Sequence, residues 1–277
     1  MGHMRVLIPV FGVSALLSVV AALFDVALAS QCALVALLVL AVCVVLVIEP
    51  PRRRWLLVAG VMLLATTPAI RLWFDDDLGP LLSMPTGEVA TELARHWHHM
   101  VVQARLVGAG VLLAVVAFAA VVYSLPAKPR PRRALVVAVL CAATPIVLLA
   151  LEVARRIDNL GPASGPAGGF FVSAAPELLA TLIAAFMVVV ATGRADRWLL
   201  LPAGALLLEA TAALGAVQHA DTWLNWAIAR PRPDTGTFLS VGIMISSGSP
   251  SVDVIGAVAT ALTVVAPALM VVATARR

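Results

Sequence analysis

Charge is scarce in this chain: Asp, Glu, Lys and Arg make up 12% of its 277 residues, against 62% apolar residues. So little polar surface cannot wrap a soluble globule of this size, which excludes a water-exposed fold and makes lipid the solvent. Cysteine is nearly absent too. Cys32, Cys43 and Cys141 fall inside apolar runs without paired spacing, which argues against a disulfide framework or a thiolate metal cluster. A Gly-rich phosphate loop and a paired-Asp prenyl-diphosphate motif are missing, as is a basic arm or aromatic-basic patch for nucleic acid. No pair of His residues lies deep in the apolar runs, where transmembrane haem ligation would require it.

What the chain does contain is apolar runs long enough to cross a bilayer, each needing about 20 residues. The expected fold is an all-α integral membrane protein with about eight transmembrane helices, near 5 to 27, 31 to 49, 55 to 74, 101 to 124, 134 to 154, 176 to 193, 198 to 218 and 252 to 275. Alternate breaks are basic: Arg52-Arg53-Arg54, the Lys128 to Arg133 segment, Arg194 with Arg197, and Arg276-Arg277. With Arg5 they hold most of the 19 Lys and Arg, so the positive-inside bias places them and both termini in the cytoplasm. The location expected is a bacterial-type inner, that is cytoplasmic, membrane. The alkaline balance then reads as attraction to anionic lipid headgroups; the lipid bilayer is the partner, and nucleic acid is not.

The second half of the chain echoes the first. Arg54-Trp55-Leu-Leu matches Arg197-Trp198-Leu-Leu, Gly108-Ala109 matches Gly256-Ala257, and Phe24-Asp25-Val-Ala aligns with Leu151-Glu152-Val-Ala, in the same order. This predicts a parallel 4+4 internal repeat with a pseudo-twofold axis along the membrane normal. Residues 1 to 126 form one four-helix unit with an outer loop at 75 to 100. Residues 127 to 277 form the other, with outer loops at 155 to 175 and 219 to 251.

Glu209 falls near the middle of the seventh span, where an ionised carboxylate costs several kcal/mol unless paired or wet. It reads as a proton, cation or substrate contact, or as a neutral Glu bonding a neighbouring helix. Asp25, Glu152 and Glu177 lie toward outer span ends, where carboxylates reach water and headgroups. Arg105 and Asp253 sit one turn into the fourth and eighth spans, before Gly108 and Gly256, and are expected to pair across the pseudo-axis. Along 88 to 103, Val89, Leu93, Trp97 and Met100 form one helical stripe, and Glu88, Glu92, His96, His99 and Gln103 another. That pattern predicts an amphipathic interfacial helix running into the fourth span. The spacing of Glu92, His96 and His99 could present ligands to one divalent ion at the outer face, zinc or copper, joined by Asp75, Asp76, Asp77, His98 or His219; polar residues on a wet helix face need no such purpose.

Trp223 and Trp226 suit an interfacial anchor, and Arg230 and Arg232 could meet lipid phosphates. Arg230-Pro-Arg232-Pro followed by Ser246-Ser-Gly248-Ser249 resembles the type 2 phosphatidic acid phosphatases in outline. That family has Lys where Trp223 or Asn225 stands and His where Ser249 stands, and no His follows Ser249 here, so membership is not assigned. Prolines within spans and small residues at close spacing suit a bundle with a central seam. The leading expectation is a transporter or channel-like protein for a small solute or ion, with Glu209, Asp25, Glu152, Arg105 and Asp253 along its path. The alternatives are a membrane enzyme acting on a lipid or polyprenyl-linked substrate at the outer leaflet, metal-assisted through His96 or His99, and a non-catalytic subunit docking a protein partner at its outer loops.

Overall fold

Helix lets a long apolar segment satisfy its backbone without water, and in the computed structural model of the protein every described element is helical. The structure describes residues 4–24, 26–49, 51–73, 86–127, 130–160, 168–194, 199–229 and 254–275. In chain order the helices are α1 (Met4–Ala21), α2 (Val26–Val47), α3 (Pro51–Trp73), α4 (Thr86–Ser124), α5 (Arg132–Leu160), α6 (Gly168–Ser173), α7 (Ala175–Thr192), α8 (Leu200–Ala229) and α9 (Val254–Ala275). Seven of them, α2 to α5 and α7 to α9, are long and apolar enough to cross a membrane, which makes this a multi-pass membrane protein.

Three differences from the expected layout stand out. The run 5 to 27 does not form one span: α1 ends at Ala21 and the chain tightens into turns, with the Leu23 and Phe24 amides bonding Val20 and Ala21. Its apolar part, Leu7–Ala21, is about 22 Å long at 1.5 Å per residue, short of a hydrocarbon core of about 30 Å. The segment 86 to 100, by contrast, runs into the fourth span as the periodicity predicts, in one continuous 39-residue helix, α4. Finally, α8 does not stop at 218 but runs on to Ala229, and α6 occupies part of the expected loop at 155 to 175.

The helices pack small side chains inward and leave large ones facing lipid, since small residues let backbones approach closely. Ala180, Ala184 and Ala191 of α7 and Ala205 and Ala212 of α8 are buried, while Leu140, Leu148 and Leu151 of α5 and Leu179, Leu182 and Phe186 of α7 are exposed. Helix α4 lies at the centre, against α3, α7 and α8. Helix α5 flanks α7 and α8, and α9 packs on α8 and reaches α1 and α2. Gly60 of α3 admits the buried ring of Phe118, whose nearest atom would lie 2.9 Å from an added Cβ. Gly60→Ala should therefore cost about 1–3 kcal/mol of unfolding free energy, read as a lowered midpoint in detergent titrations.

The two ends of the bundle differ in chemistry. At one end the terminal carbonyls at the C-terminus of α4 are capped by cations: Arg53 donates to the Ser124 carbonyl at 3.0 Å and Arg194 to that of Leu125 at 2.8 Å. The Arg194 guanidinium also stacks over Tyr123, 5.1 Å from the ring centre. The opposite end, where α3 and α8 finish and α7 begins, collects carboxylate, imidazole, amide and guanidinium groups.

Candidate functional site: a buried hydrogen-bonded chain beside a cavity

Pro176 lies in the first turn of α7, where its missing N–H is no loss. Backbone bonds from Ala174 to Phe170 and from Leu178 to Ala174 carry the helical path across the junction with α6. Ser173 and Glu177, four residues apart, thus fall on one face, and both reach the same ring on α8. Ser173 Oγ is 2.8 Å from His219 Nε2, and Glu177 Oε1 is 2.8 Å from His219 Nδ1. From α4, Arg105 Nε donates to Ser173 Oγ at 3.0 Å. Ser173, Glu177 and His219 are all buried, at 1%, 3% and 1% exposure.

Arginine fixes the direction at one end of this chain because a guanidinium can only donate. Ser173 Oγ accepts from Arg105, and Nε2 of a neutral ring accepts the Ser173 hydrogen. The ring then carries its hydrogen on Nδ1 and donates it to Glu177 Oε1. Every donor and acceptor along the line is matched except at the far end, where Glu177 Oε2 is buried without a hydrogen-bond partner among the described residues.

Glu177 and His219 form part of the wall of a cavity of about 280 Å³ between α3, α4, α7 and α8. Arg71, Gln103, Thr211, Gln218 and Thr222 add polar groups, and Met100, Val107 and Val111 add apolar ones. Arg71 Nη2 donates to Gln218 Oε1 at 3.3 Å. Gly108 leaves the space that the Glu177 carboxyl occupies: an added Cβ would overlap its carbon and both oxygens. Gly215, on α8, lies against the same side chain with ordinary clearance, its Cβ position 3.9 Å from Glu177 Cγ. Ser173 is not part of the cavity wall.

Glu209 is one helical stretch deeper, ten residues before His219 and so about 15 Å along α8. It is fully buried, and neither carboxylate oxygen has a hydrogen-bond partner among the described residues. By helical register it shares a face with Ala205, Ala212, Ala213 and Ala216, of which Ala212 lines the cavity, and points away from Thr211, Gly215 and Gln218 in the same wall.

The other sequence candidates are distributed differently. Glu152 bonds Arg155 at 3.1 Å on α5, away from the cavity wall. Glu92 pairs with Arg95 one turn along α4. His96 packs edge-on against Trp97 and His99 against His98, while His219 has both ring nitrogens engaged inside the bundle. The expected metal set of Glu92, His96, His99 and His219 is therefore not brought together, and no group of three or more His, Cys, Asp or Glu among the described residues could hold a metal ion. Arg105 bonds Ser173, whereas the sequence pattern predicts a pairing with Asp253. Asp253, Asp25, Asp75 to Asp77, Arg230, Arg232 and Ser246 to Ser249 lie outside the described residues.

Two members of the site escape a reading of the sequence for identifiable reasons. Ser173 falls in a stretch that looks like loop, and Glu177 looks like a solvated helix end. The signal is the Ser-x-x-x-Glu spacing across a Pro that starts a helix. Gln103, on the stripe of α4 expected to be wet, is 6% exposed and faces the cavity. Comparison with known protein families, curated protein sequences and solved structures returns no match to any of them, so the site must be read from its own chemistry.

Proposed function

We propose that this multi-pass membrane protein is a transporter or channel-like protein for a small solute or ion. The observation that carries the reading is the polar cavity at one end of the bundle with a desolvated carboxylate, Glu177, in its wall. Burying a carboxyl oxygen without a partner costs about 1–3 kcal/mol or more, and such groups inside membranes accompany solute and proton pathways. Glu209, orphaned deeper in the same bundle, extends that argument toward the midplane. The arginines at the opposite end favour a cytoplasmic placement there under the positive-inside rule, which would put the cavity at the outer face of a cytoplasmic membrane. The packing of α4 on α7 and α8, alongside that of α9 near α2 and α3, is what a 4+4 duplication would give; the closeness of α9 to α1, without comparable packing of α4 on α5, departs from it.

Flux into proteoliposomes tests this reading. Glu209→Gln should reduce uptake at least tenfold or remove its pH dependence, and unchanged flux at every pH would exclude Glu209 from the path. A membrane enzyme is the second reading, favoured by the order Ser173, His219, Glu177, which is that of nucleophile, base and orienting acid. Against it, Ser173 is sealed from the cavity and already receives the Arg105 hydrogen bond. A fluorophosphonate probe should therefore leave Ser173 unlabelled, as mass spectrometry of the treated protein would show; labelling would promote the enzyme reading. A non-catalytic subunit, the third reading, would copurify with a stoichiometric second protein.

A further inference from the structure

We infer that the cavity binds a small uncharged solute carrying an amide group, which pairs with the side-chain amide of Gln103. Passage of that solute through the membrane rests on the transporter reading, whereas the binding step rests on the cavity wall alone. Gln103 is only 6% exposed and lines the cavity from α4. Its amide makes no hydrogen bond among the described residues, yet neither amide atom is enclosed in the way of Glu177 Oε2. A largely buried amide without partners is costly. An oxygen and an NH2 group held open toward a cavity therefore call for a ligand that supplies a donor and an acceptor together. The N–H and C=O edge of a second amide does so, through two hydrogen bonds.

The rest of the wall argues for a neutral solute. Its two charged side chains are already engaged: Arg71 donates to Gln218 Oε1 at 3.3 Å and has a further interaction, while Glu177 has Oε1 on His219 and Oε2 enclosed against Gly108. A charged solute would lose water here without gaining an unengaged counter-charge. Because a guanidinium only donates, Gln218 turns its oxygen to Arg71, which leaves its NH2 group as a donor. The Thr211 and Thr222 hydroxyls donate to the Leu207 and Gln218 carbonyls at 2.8 and 3.1 Å, so they remain acceptors. The open groups of the wall are thus uncharged and of both kinds. Met100, Ala104, Val107 and Val111 share the Gln103 face of α4 and suit a short apolar stem. At about 280 Å³ the cavity falls just under the roughly 300 Å³ at which ordinary ligand pockets begin, so the solute is small.

The test is saturation-transfer NMR on the purified full chain in detergent, with acetamide as the probe. Acetamide should give a transfer signal that saturates with concentration. Acetone, acetate and acetamidinium keep its shape, but acetone lacks the N–H donor, acetate lacks the donor and is an anion, and acetamidinium lacks the acceptor and is a cation. Each should bind at least about tenfold more weakly. Gln103→Leu removes the amide at nearly constant size. Since that amide has no hydrogen bond to another described residue to lose, the variant should unfold at the same midpoint or higher while acetamide affinity falls about tenfold or more. Gly215→Ala, whose methyl meets only ordinary contacts, should also stay folded and weaken binding by narrowing the cavity. A missing saturable acetamide signal would mean that water alone fills the cavity and would overturn the inference. Equal binding of any of the three analogues, or unchanged affinity in a folded Gln103→Leu protein, would overturn it too. Proteoliposome flux of a different solute, lost in Glu209→Gln, would in those cases leave the transport reading in place.

Discussion

His219→Ala should lower the unfolding free energy by about 3–5 kcal/mol, the range for removing one partner of a buried ionic or hydrogen-bonded pair. The imidazole links α8 to the junction of α6 and α7, satisfying Ser173 on one nitrogen and Glu177 on the other. Alanine would strand the Ser173 hydroxyl and leave both Glu177 oxygens without a donor, at sites with almost no exposure. Ser173→Ala is the graded comparison: it removes the hydrogen bonds to His219 and from Arg105 but leaves Glu177 its partner, and should cost about 1–3 kcal/mol. Unfolding midpoints of the two variants in one detergent check the ordering. A loss below about 1 kcal/mol for His219→Ala would mean that water replaces the ring, and that the buried chain is wet rather than dry.

Much of the fold is legible in the sequence because the bilayer imposes one length and one type of element. Helices α2, α3, α7 and α9 coincide with apolar runs to within a few residues, except that α2 begins five residues earlier than expected. The pattern misleads where polarity looks like a boundary. Gln218 and His219 have the character of a span end, yet α8 continues to Ala229 because Trp223 and Ala220 keep it packed on Phe170 of α6. Glu177 has the sequence position of a solvated helix start, although its depth in the bundle is set by Gly108 on a helix 69 residues away, which no local pattern reveals. Arg105 is unusual and Gly108 a landmark in the sequence, but nothing in the pattern joins either to Ser173. Residues that one helix presents can be read from periodicity; the residues that three helices bring together depend on packing angles that periodicity does not contain.

Gly108→Ala tests that joining most directly. The added methyl would occupy the position of the Glu177 carboxyl carbon and both of its oxygens, so either α4 and α7 must separate or the carboxylate must leave His219. Overpacking of a tight core costs about 1–3 kcal/mol, and loss of the buried hydrogen bond adds about 1–3 kcal/mol, for a total of about 2–6 kcal/mol. Shortening the acid to Glu177→Ala empties the same space. In that background the Gly108→Ala substitution should cost under about 1 kcal/mol, giving a coupling energy of about 2–3 kcal/mol between the two positions, as expected for residues in direct contact. Gly215→Ala supplies the control, since its methyl would sit 3.9 Å from Glu177 Cγ and should show little coupling. Equal costs for Gly108→Ala with and without the carboxylate would show that Glu177 does not point between these helices.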